Sequence, residues 1–155
     1  MSDTKLYRRA TAEDSWDWLQ IRNDPEALFW SGNTRAITVA EHTAWFTNRS
    51  QHPGHVLLVH EDDTLQSLGL VGTNAFGRLQ QSVQAEVSLG VSPASRGHGV
   101  GAGMLRALEQ EAVERRVHRL VAYIHPANIP SMRAFMRQGY VLGGNPGFVR
   151  VEKPL

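Results

Sequence analysis

The chain has 155 residues, 41% hydrophobic and 20% charged, the composition of one globular domain able to bury most of its apolar surface. A formal net charge of +1 excludes a broad basic field for nucleic acid, and the absence of cysteine excludes disulfides, thiolate catalysis and Cys-ligated zinc. The start has no apolar signal region and the longest apolar runs, VLLV and LVAYI, are far too short to span a bilayer, so a cytoplasmic domain is expected.

No repeat or linker divides residues 1–155, which are expected to form a single domain. Residues 5–10 (KLYRRA) alternate as a first strand does. Thr11 and Asp14 have capping-box spacing and predict a helix from there to about Arg22. TVAE at 38–41 is a full capping box and predicts a second helix running to residue 50. Residues 55–60 and 67–76 read as strands joined by the turn-rich EDDT, and 85–91 as another. Within 100–116, Gly101, Met104, Leu105, Leu108 and Ala112 fall along one helical face. Residues 119–125 read as a strand, 128–138 as a short helix, and YVLGG with GFVRVEK as a closing hairpin. The order β-α-α-β-β-β-α-β-α-β-β combines hairpins with one β-α-β crossover, which predicts the α+β class with a central mixed sheet.

Residues 91–103 read VSPASRGHGVGAG, with four glycines at alternate positions after an arginine. Glycine costs backbone entropy on folding, so the run needs a reason. A linker would be polar on both sides, whereas this run joins a strand to an amphipathic helix. A nucleotide P-loop needs Lys and then Ser or Thr after its last glycine, and Ala102, Gly103 and Met104 stand there instead. Gly97 to Ala102 satisfies the dinucleotide pattern G-x-G-x-x-A, but five residues separate it from the strand and no acid closes strand 119–125 to hold a ribose. What remains is a glycine-rich approach to a helix N-terminus, where unpaired N–H groups and the positive dipole end suit a phosphate and no Cβ obstructs it. Arg96 adds a charged donor fork at the rim. Close helix-to-sheet packing explains one or two of these glycines, not four beside an arginine.

The segment from Arg96 to Gly101 fits [RQ]-x-x-G-x-[GA] and resembles the signature of the GNAT superfamily, which transfers acetyl from acetyl-coenzyme A to amines. Val91-Ser-Pro93 before the loop, Asn128 with Ser131, and Gly139-Tyr140 fall where that family has V-x-P, N-x-x-S and a closing G-[FY]. The resemblance implies a mostly antiparallel mixed sheet with helices on both faces. It implies acetyl-coenzyme A as cosubstrate and no metal, with the pyrophosphate on backbone N–H groups of Arg96, Gly97, His98, Gly99, Val100 and Gly101. Leu89, Gly90 and Val91 would pair with the pantetheine amides, Asn128 would lie beside that arm, and Ser131 would assist or cap the helix. The implied partners are the coenzyme, an amine acceptor and, compatibly with the family, a second copy of the chain.

In AEVSLGV, Ala85, Val87, Leu89 and Val91 share one face and Glu86, Ser88 and Gly90 the other. The apolar face packs on a helix and the other lines a cleft. An acid at the inner end of a cleft can have its pKa raised by desolvation and draw a proton from an ammonium acceptor. Pairing with a nearby Arg or Lys is the other reading of Glu86, and the resemblance favours catalysis. A backbone N–H near Gly90 or Val91 is the expected oxyanion donor. Many relatives protonate the departing thiolate with a tyrosine seven residues after the asparagine of the last helix, a position filled here by Phe135. By strand parity Tyr123 is the nearest substitute, though it can equally be an ordinary strand aromatic.

The seven histidines show no metal-ligand spacing with a nearby acid on one helix face. Trp16, Trp18, Trp30 and Trp45 all lie in the first third, where the family covers its acceptor. IRNDPEALFW followed by ITVAEHTAWF is similar to nucleotide-sugar amine acetyltransferases and to ribosomal-protein N-terminal acetyltransferases. An amino sugar or nucleotide amino sugar is therefore the expected acceptor, with Trp30 stacking and Arg22 or Arg35 meeting a phosphate. Aromatics in amphipathic helices are otherwise core residues. The alternatives are a protein N-terminal acetyltransferase and a coenzyme-binding module without turnover.

Overall fold

Alternation along residues 55–61 decides the layering of the molecule. Val56 and Leu58 point to one side of their strand, Leu57 and Val59 to the other, and all four are buried, so the sheet must be covered on both faces. The computed structural model describes residues 7–52, 55–61, 70–78, 84–93, 96–97, 99–143 and 148–155, with 61 and 70–78 as backbone only. Its elements are β1 (Tyr7–Arg9), α1 (Ser15–Arg22), α2 (Pro25–Trp30), α3 (Val39–Gln51), β2 (His55–Glu61), β3 (Leu70–Arg78) and β4 (Gln84–Val91). They continue with α4 (Val100–Glu114), β5 (Arg119–Ile124), α5 (Ile129–Arg137), β6 (Val141–Leu142) and β7 (Val149–Pro154). The sheet order is β1-β2-β3-β4-β5-β7-β6. Every pairing is antiparallel except β4 with β5, the two strands joined by the α4 crossover.

Under α4 and α5 the core gathers Val56, Leu58, Ala85, Val87, Leu120, Ala122 and Ile124 against Leu105, Leu108, Ala112, Phe135 and Tyr140. On the opposite face Leu57 and Val59 meet Trp18, Ile21 and Phe46 of α1 and α3. Each such side chain withdrawn from water stabilises the fold by about 1.5–3 kcal/mol. The periodicity expected for α4 holds for Met104, Leu105, Leu108 and Ala112, all fully buried, while Gly101 in the first turn is only half-buried.

Thr11 and Asp14 meet as their spacing predicts, the Thr11 N–H donating to Asp14 Oδ2 at 2.7 Å. They close a 3-10 turn, Ala12–Asp14, from which α1 continues. The order differs from expectation by one helix, α2. Its start follows simple rules: the Asp24 side chain caps the Ala27 N–H at 3.2 Å, and Pro25 fills a first-turn position where no N–H is needed. Its six residues bury none of their side chains, so no apolar stripe announces it. The strand expected over 67–76 is β3 over Leu70–Arg78, with 67–69 and most of the EDDT turn outside the described residues.

Candidate active site

The parallel pairing of β4 with β5 covers three registers only: Gln84 with Arg119, Ala85 with Leu120 and Glu86 with Val121. Beyond them β4 stays on β3 as far as Val91, and β5 stays on β7 as far as Ile124. The sheet therefore opens into a V whose closed end is Glu86, and β5 leaves the facing backbone groups of 87–91 unmatched. Paired residues project to the same side of a sheet. On the side away from α4, Glu86, Val121 and Glu152 form one row and Tyr123 and Arg150 the next, with Ser88 on the same face of β4 across the opening. Gly90, His125 and Phe148 continue the pattern, with the His125 and Phe148 rings 5.9 Å apart. Ala85 and Val87 are buried under α4, while Glu86 and Ser88 are exposed in the opening. The parity expected for this strand holds. The desolvation expected for Glu86 does not, because the V opens to solvent along that face.

The loop after β4 delivers the chain to α4 through two glycines in the left-handed region, Gly97 at φ 81° and Gly99 at φ 76°. A Cβ added at Gly97, Gly99 or Gly101 would meet nothing within 4 Å. A Cβ at Gly103 would overlap the Tyr7 hydroxyl. Three of the four alternating glycines thus keep a surface bare, and only Gly103 serves packing. Side chains cap α2 (Asp24), α3 (Thr38) and α5 (Asn128), whereas α4 begins on Gly99 with no side-chain cap, as does α1, which is entered directly from the 3-10 turn. The Val100 and Gly101 N–H groups make no backbone hydrogen bond among the described residues. An anion with several acceptor oxygens fits this bare, uncapped helix start, as the pyrophosphate of a coenzyme would. His98 lies outside the described residues.

Arg96 departs from its expected place on the loop rim. Its guanidinium donates to Asp24 Oδ2 at 2.8 Å and to Glu26 Oε2 at 2.7 Å, because the first turn of α2 brings both carboxylates within reach of the fork. Burial pushes the Asp24 carboxyl up, but Arg96 and the Ala27 N–H outweigh it and hold it below its ordinary value. From the same helix, Trp30 donates to Glu26 Oε1 at 3.3 Å and packs edge-on against His125, with centroids 5.3 Å apart. Phe29 also reaches His125, at 5.2 Å. His125 Nδ1 accepts the Ala127 N–H at 3.1 Å, so the proton of the neutral ring resides on Nε2.

A family model for the GNAT acetyltransferase domain matches residues 6–141. The chain belongs to the GNAT family. It is an acetyl-coenzyme A-dependent N-acetyltransferase. It is 31% identical over 122 residues to the L-methionine sulfoximine/L-methionine sulfone acetyltransferase of Pseudomonas aeruginosa, covering 73% of this chain and 69% of that one. A solved ribosomal-protein-alanine N-acetyltransferase from Brucella melitensis superposes with TM-score 0.82 at 28% identity, over 97% of this chain and 99% of that one. A phosphinothricin acetyltransferase from Sinorhizobium meliloti, solved in complex with acetyl-coenzyme A, superposes with TM-score 0.82 at 20% identity, over 96% and 87% of the two chains. At that identity the last likeness speaks to the fold.

This GNAT domain sorts the remaining sequence candidates clearly. Leu89 and Val91 turn their side chains to Val100 and Met104 of α4, leaving their backbone and that of Gly90 along the opening. Asn128 accepts the Ser131 N–H at 3.3 Å, so the pair caps α5. Tyr123 is 42% exposed and lies opposite Arg150 across the β5–β7 ladder, and Arg150 donates to Glu152 at 2.7 Å. Phe135 is buried against Tyr140, with centroids 5.0 Å apart, in the core under α5.

On the acceptor side, Trp30 joins the cluster around His125, but the two arginines do not. Arg22 enters the seam between α1 and α3, where Nη1 donates to His42 Nδ1 at 3.0 Å and the guanidinium stacks on Trp45 at 4.3 Å. Arg35 stays at the surface, its side chain 67% exposed and paired with Glu41 at 3.0 Å. Trp18 and Phe46 are core. The sequence reading missed Phe29, His125, Phe148, Arg150 and Glu152 as neighbours. The parity of Tyr123 with His125 was visible, but the pairing of β7 beside β5 was not.

Proposed function

We propose that this enzyme acetylates the primary amine of a small molecule that also carries an anionic group, with the amino acids as the leading class. The observation that carries this reading is the V between β4 and β5. A bare helix start lies at its mouth, a carboxylate at its closed end, and Tyr123 and Arg150 stand on its far wall. In this reading the backbone of Leu89, Gly90 and Val91 pairs with the pantetheine amides. The N–H groups from Arg96 to Gly101, His98 included, hold the pyrophosphate. Asn128 uses Oδ1 as the α5 cap and offers its Nδ2 hydrogens to the pantetheine arm.

Glu86 takes the ammonium proton through a water in the opening, since it is exposed rather than sealed. The neutral nitrogen then attacks the thioester carbonyl, and a backbone N–H of Gly90 or Val91 receives the oxyanion. As the intermediate collapses the C–S bond breaks, Tyr123 gives its proton to the departing sulfur, and the second proton of the nitrogen returns through water to the Tyr123 oxygen. Arg150 meets the acceptor's anionic group, and Phe29, Trp30, His125 and Phe148 enclose its apolar part. The Pseudomonas relative supports an amino-acid acceptor, because L-methionine sulfone carries a carboxylate beside its amine. The amino-sugar expectation loses its two arginines to other partners, His42 and Glu41. The Brucella structure favours a second reading, N-terminal acetylation of a protein. A cytoplasmic site of action, where acetyl-coenzyme A is available, goes with either. No helix among the described residues is long and apolar enough to cross a membrane.

A thiol-release screen with acetyl-coenzyme A separates the readings. Its arms are L-methionine sulfone and other amino acids, amino sugars, and peptides with a free N-terminal alanine. Turnover with amino acids is expected. Turnover confined to peptides overturns the small-molecule reading, and coenzyme binding without thiol release for any acceptor supports a coenzyme-binding module.

A further inference from the structure

A helix of six residues with no fully buried side chain has little apolar anchorage of its own. Yet α2 carries Phe29 and Trp30, the two aromatic rings that close over His125 at the end of β5. Besides those ring contacts, its side-chain hydrogen bonds to the rest of the molecule among the described residues converge on one residue. Arg96, just ahead of the glycine turn and 70 residues away in sequence, donates to Glu26 Oε2 at 2.7 Å. Its other terminal nitrogen donates to Asp24 Oδ2 at 2.8 Å, the oxygen that also caps α2 through the Ala27 N–H at 3.2 Å. Glu26 passes the connection on, for its second oxygen accepts the Trp30 indole N–H at 3.3 Å. An unbroken hydrogen-bonded line therefore runs from the phosphate loop through Arg96 and Glu26 to Trp30, and by ring contact to His125.

We propose that Arg96 is a positioning residue that clamps α2 to the phosphate loop, so that binding of the coenzyme and ordering of the aromatic acceptor wall are energetically coupled. The coupling rests on the reading of residues 96–101 as the coenzyme loop; the clamp itself does not. The direction follows from linkage. A pyrophosphate on the N–H groups of the loop fixes the backbone that carries Arg96, and a fixed Arg96 holds both carboxylates of the α2 first turn. By reciprocity, an acceptor that orders Phe29 and Trp30 tightens the coenzyme by the same factor. Charge-assisted bonds through a rigid fork suit such a link, since the guanidinium is planar and its two donors must move together.

Hydrogen–deuterium exchange, with and without coenzyme A, tests the clamp in the full chain. Two substitutions keep the local structure. Asp24→Asn retains a good helix cap, and Glu26→Gln retains an acceptor for the Trp30 indole while removing the charge offered to Arg96. In the wild type, coenzyme A should slow exchange at residues 99–103 and also, by about tenfold, at 26–30 in α2. In the Asp24→Asn/Glu26→Gln double variant, 99–103 should still be protected while α2 no longer responds. Arg96→Lys, which keeps the charge, should retain part of the response that Arg96→Met loses. Protection of 99–103 without any response in wild-type α2 overturns the proposal, as does an undiminished response in the double variant. Absence of protection at 99–103 instead overturns the coenzyme reading. The clamp is then judged on the ligand-free proteins, where faster α2 exchange in the double variant upholds it and equal exchange overturns it.

Discussion

Glu86 sits at the vertex where β4 and β5 part, exposed and without an ion pair among the described residues. That location suits proton relay through water better than direct abstraction. A positioned general base contributes roughly 10²–10⁴-fold, so Glu86→Gln should lower kcat within that range at neutral pH. The deficit should shrink as pH rises and the free amine needs no base. A pH-independent deficit would assign Glu86 to binding instead. Phe135 carries the opposite lesson. In many relatives a tyrosine is implied at this position, but here the ring is buried on Tyr140, so an added hydroxyl would have to leave water. Phe135→Tyr should lower stability by about 1–3 kcal/mol in urea unfolding and give no gain in rate. A faster enzyme would show that the ring reaches the thioester. His42 makes a pH prediction. It is 1% exposed, its Nε2–H donates to the Ser15 carbonyl at 2.8 Å, and Nδ1 accepts from Arg22, so the neutral form is the native one. Burial chiefly lowers its pKa, opposed by the Ser15 carbonyl and assisted by the Arg22 charge. Its contribution is therefore complete above the unfolded value of 6.5 and is lost as pH falls through the lower folded value. Thermal unfolding between pH 5 and 8 should show Tm falling on the acid side, and His42→Gln should flatten that fall. An unchanged profile would move the acid sensitivity to another group.

Among the elements, those with strong periodicity were legible and the one without it was not. The 3.6-residue pattern of α4 and the alternation of β2 and β4 record which side chains leave water, so they survive in the sequence. Helix α2 has no fully buried side chain, and its only signals are Asp24 as cap and Pro25 behind it, too brief to outweigh a loop reading. The capping box at Thr11 was legible as chemistry but not as length, for it closes a 3-10 turn before α1. The end of α4 holds a testable flaw. Arg116 adopts φ 61° there, while the Val117 N–H reaches back to the Ala112 carbonyl at 2.9 Å. Left-handed backbone favours glycine at such a stop, so Arg116→Gly should raise stability by roughly 0.5–1 kcal/mol. A lower urea midpoint would show that the arginine side chain contributes more than its strained backbone costs.

Across the whole molecule, strand content was readable but strand neighbours were not. The parity of residues 85–91 showed a polar face, yet only the sheet order shows that β7 enters between β5 and β6 and sets Arg150 and Glu152 beside Tyr123 and Val121. Long-range pairing leaves no local trace, which is why the neighbours of Tyr123 were missed while the glycine-rich loop was legible. The loop was legible because its backbone demands it: Gly97 and Gly99 take conformations that other residues resist, and Gly101 keeps a helix start bare. Gly101 also offers the cleanest test of the whole account. It lies within α4 outside the left-handed region, with open space where a Cβ would stand, so valine there should leave the helix as stable as before or slightly more so. The decisive measurement is a calorimetric titration of coenzyme A into the wild type and Gly101→Val, beside their unfolding curves. Losing one or two charge-assisted bonds to the pyrophosphate should weaken binding roughly 10- to 100-fold with stability unimpaired. Equal affinity in a folded Gly101→Val protein would contradict the placement of the coenzyme at this loop.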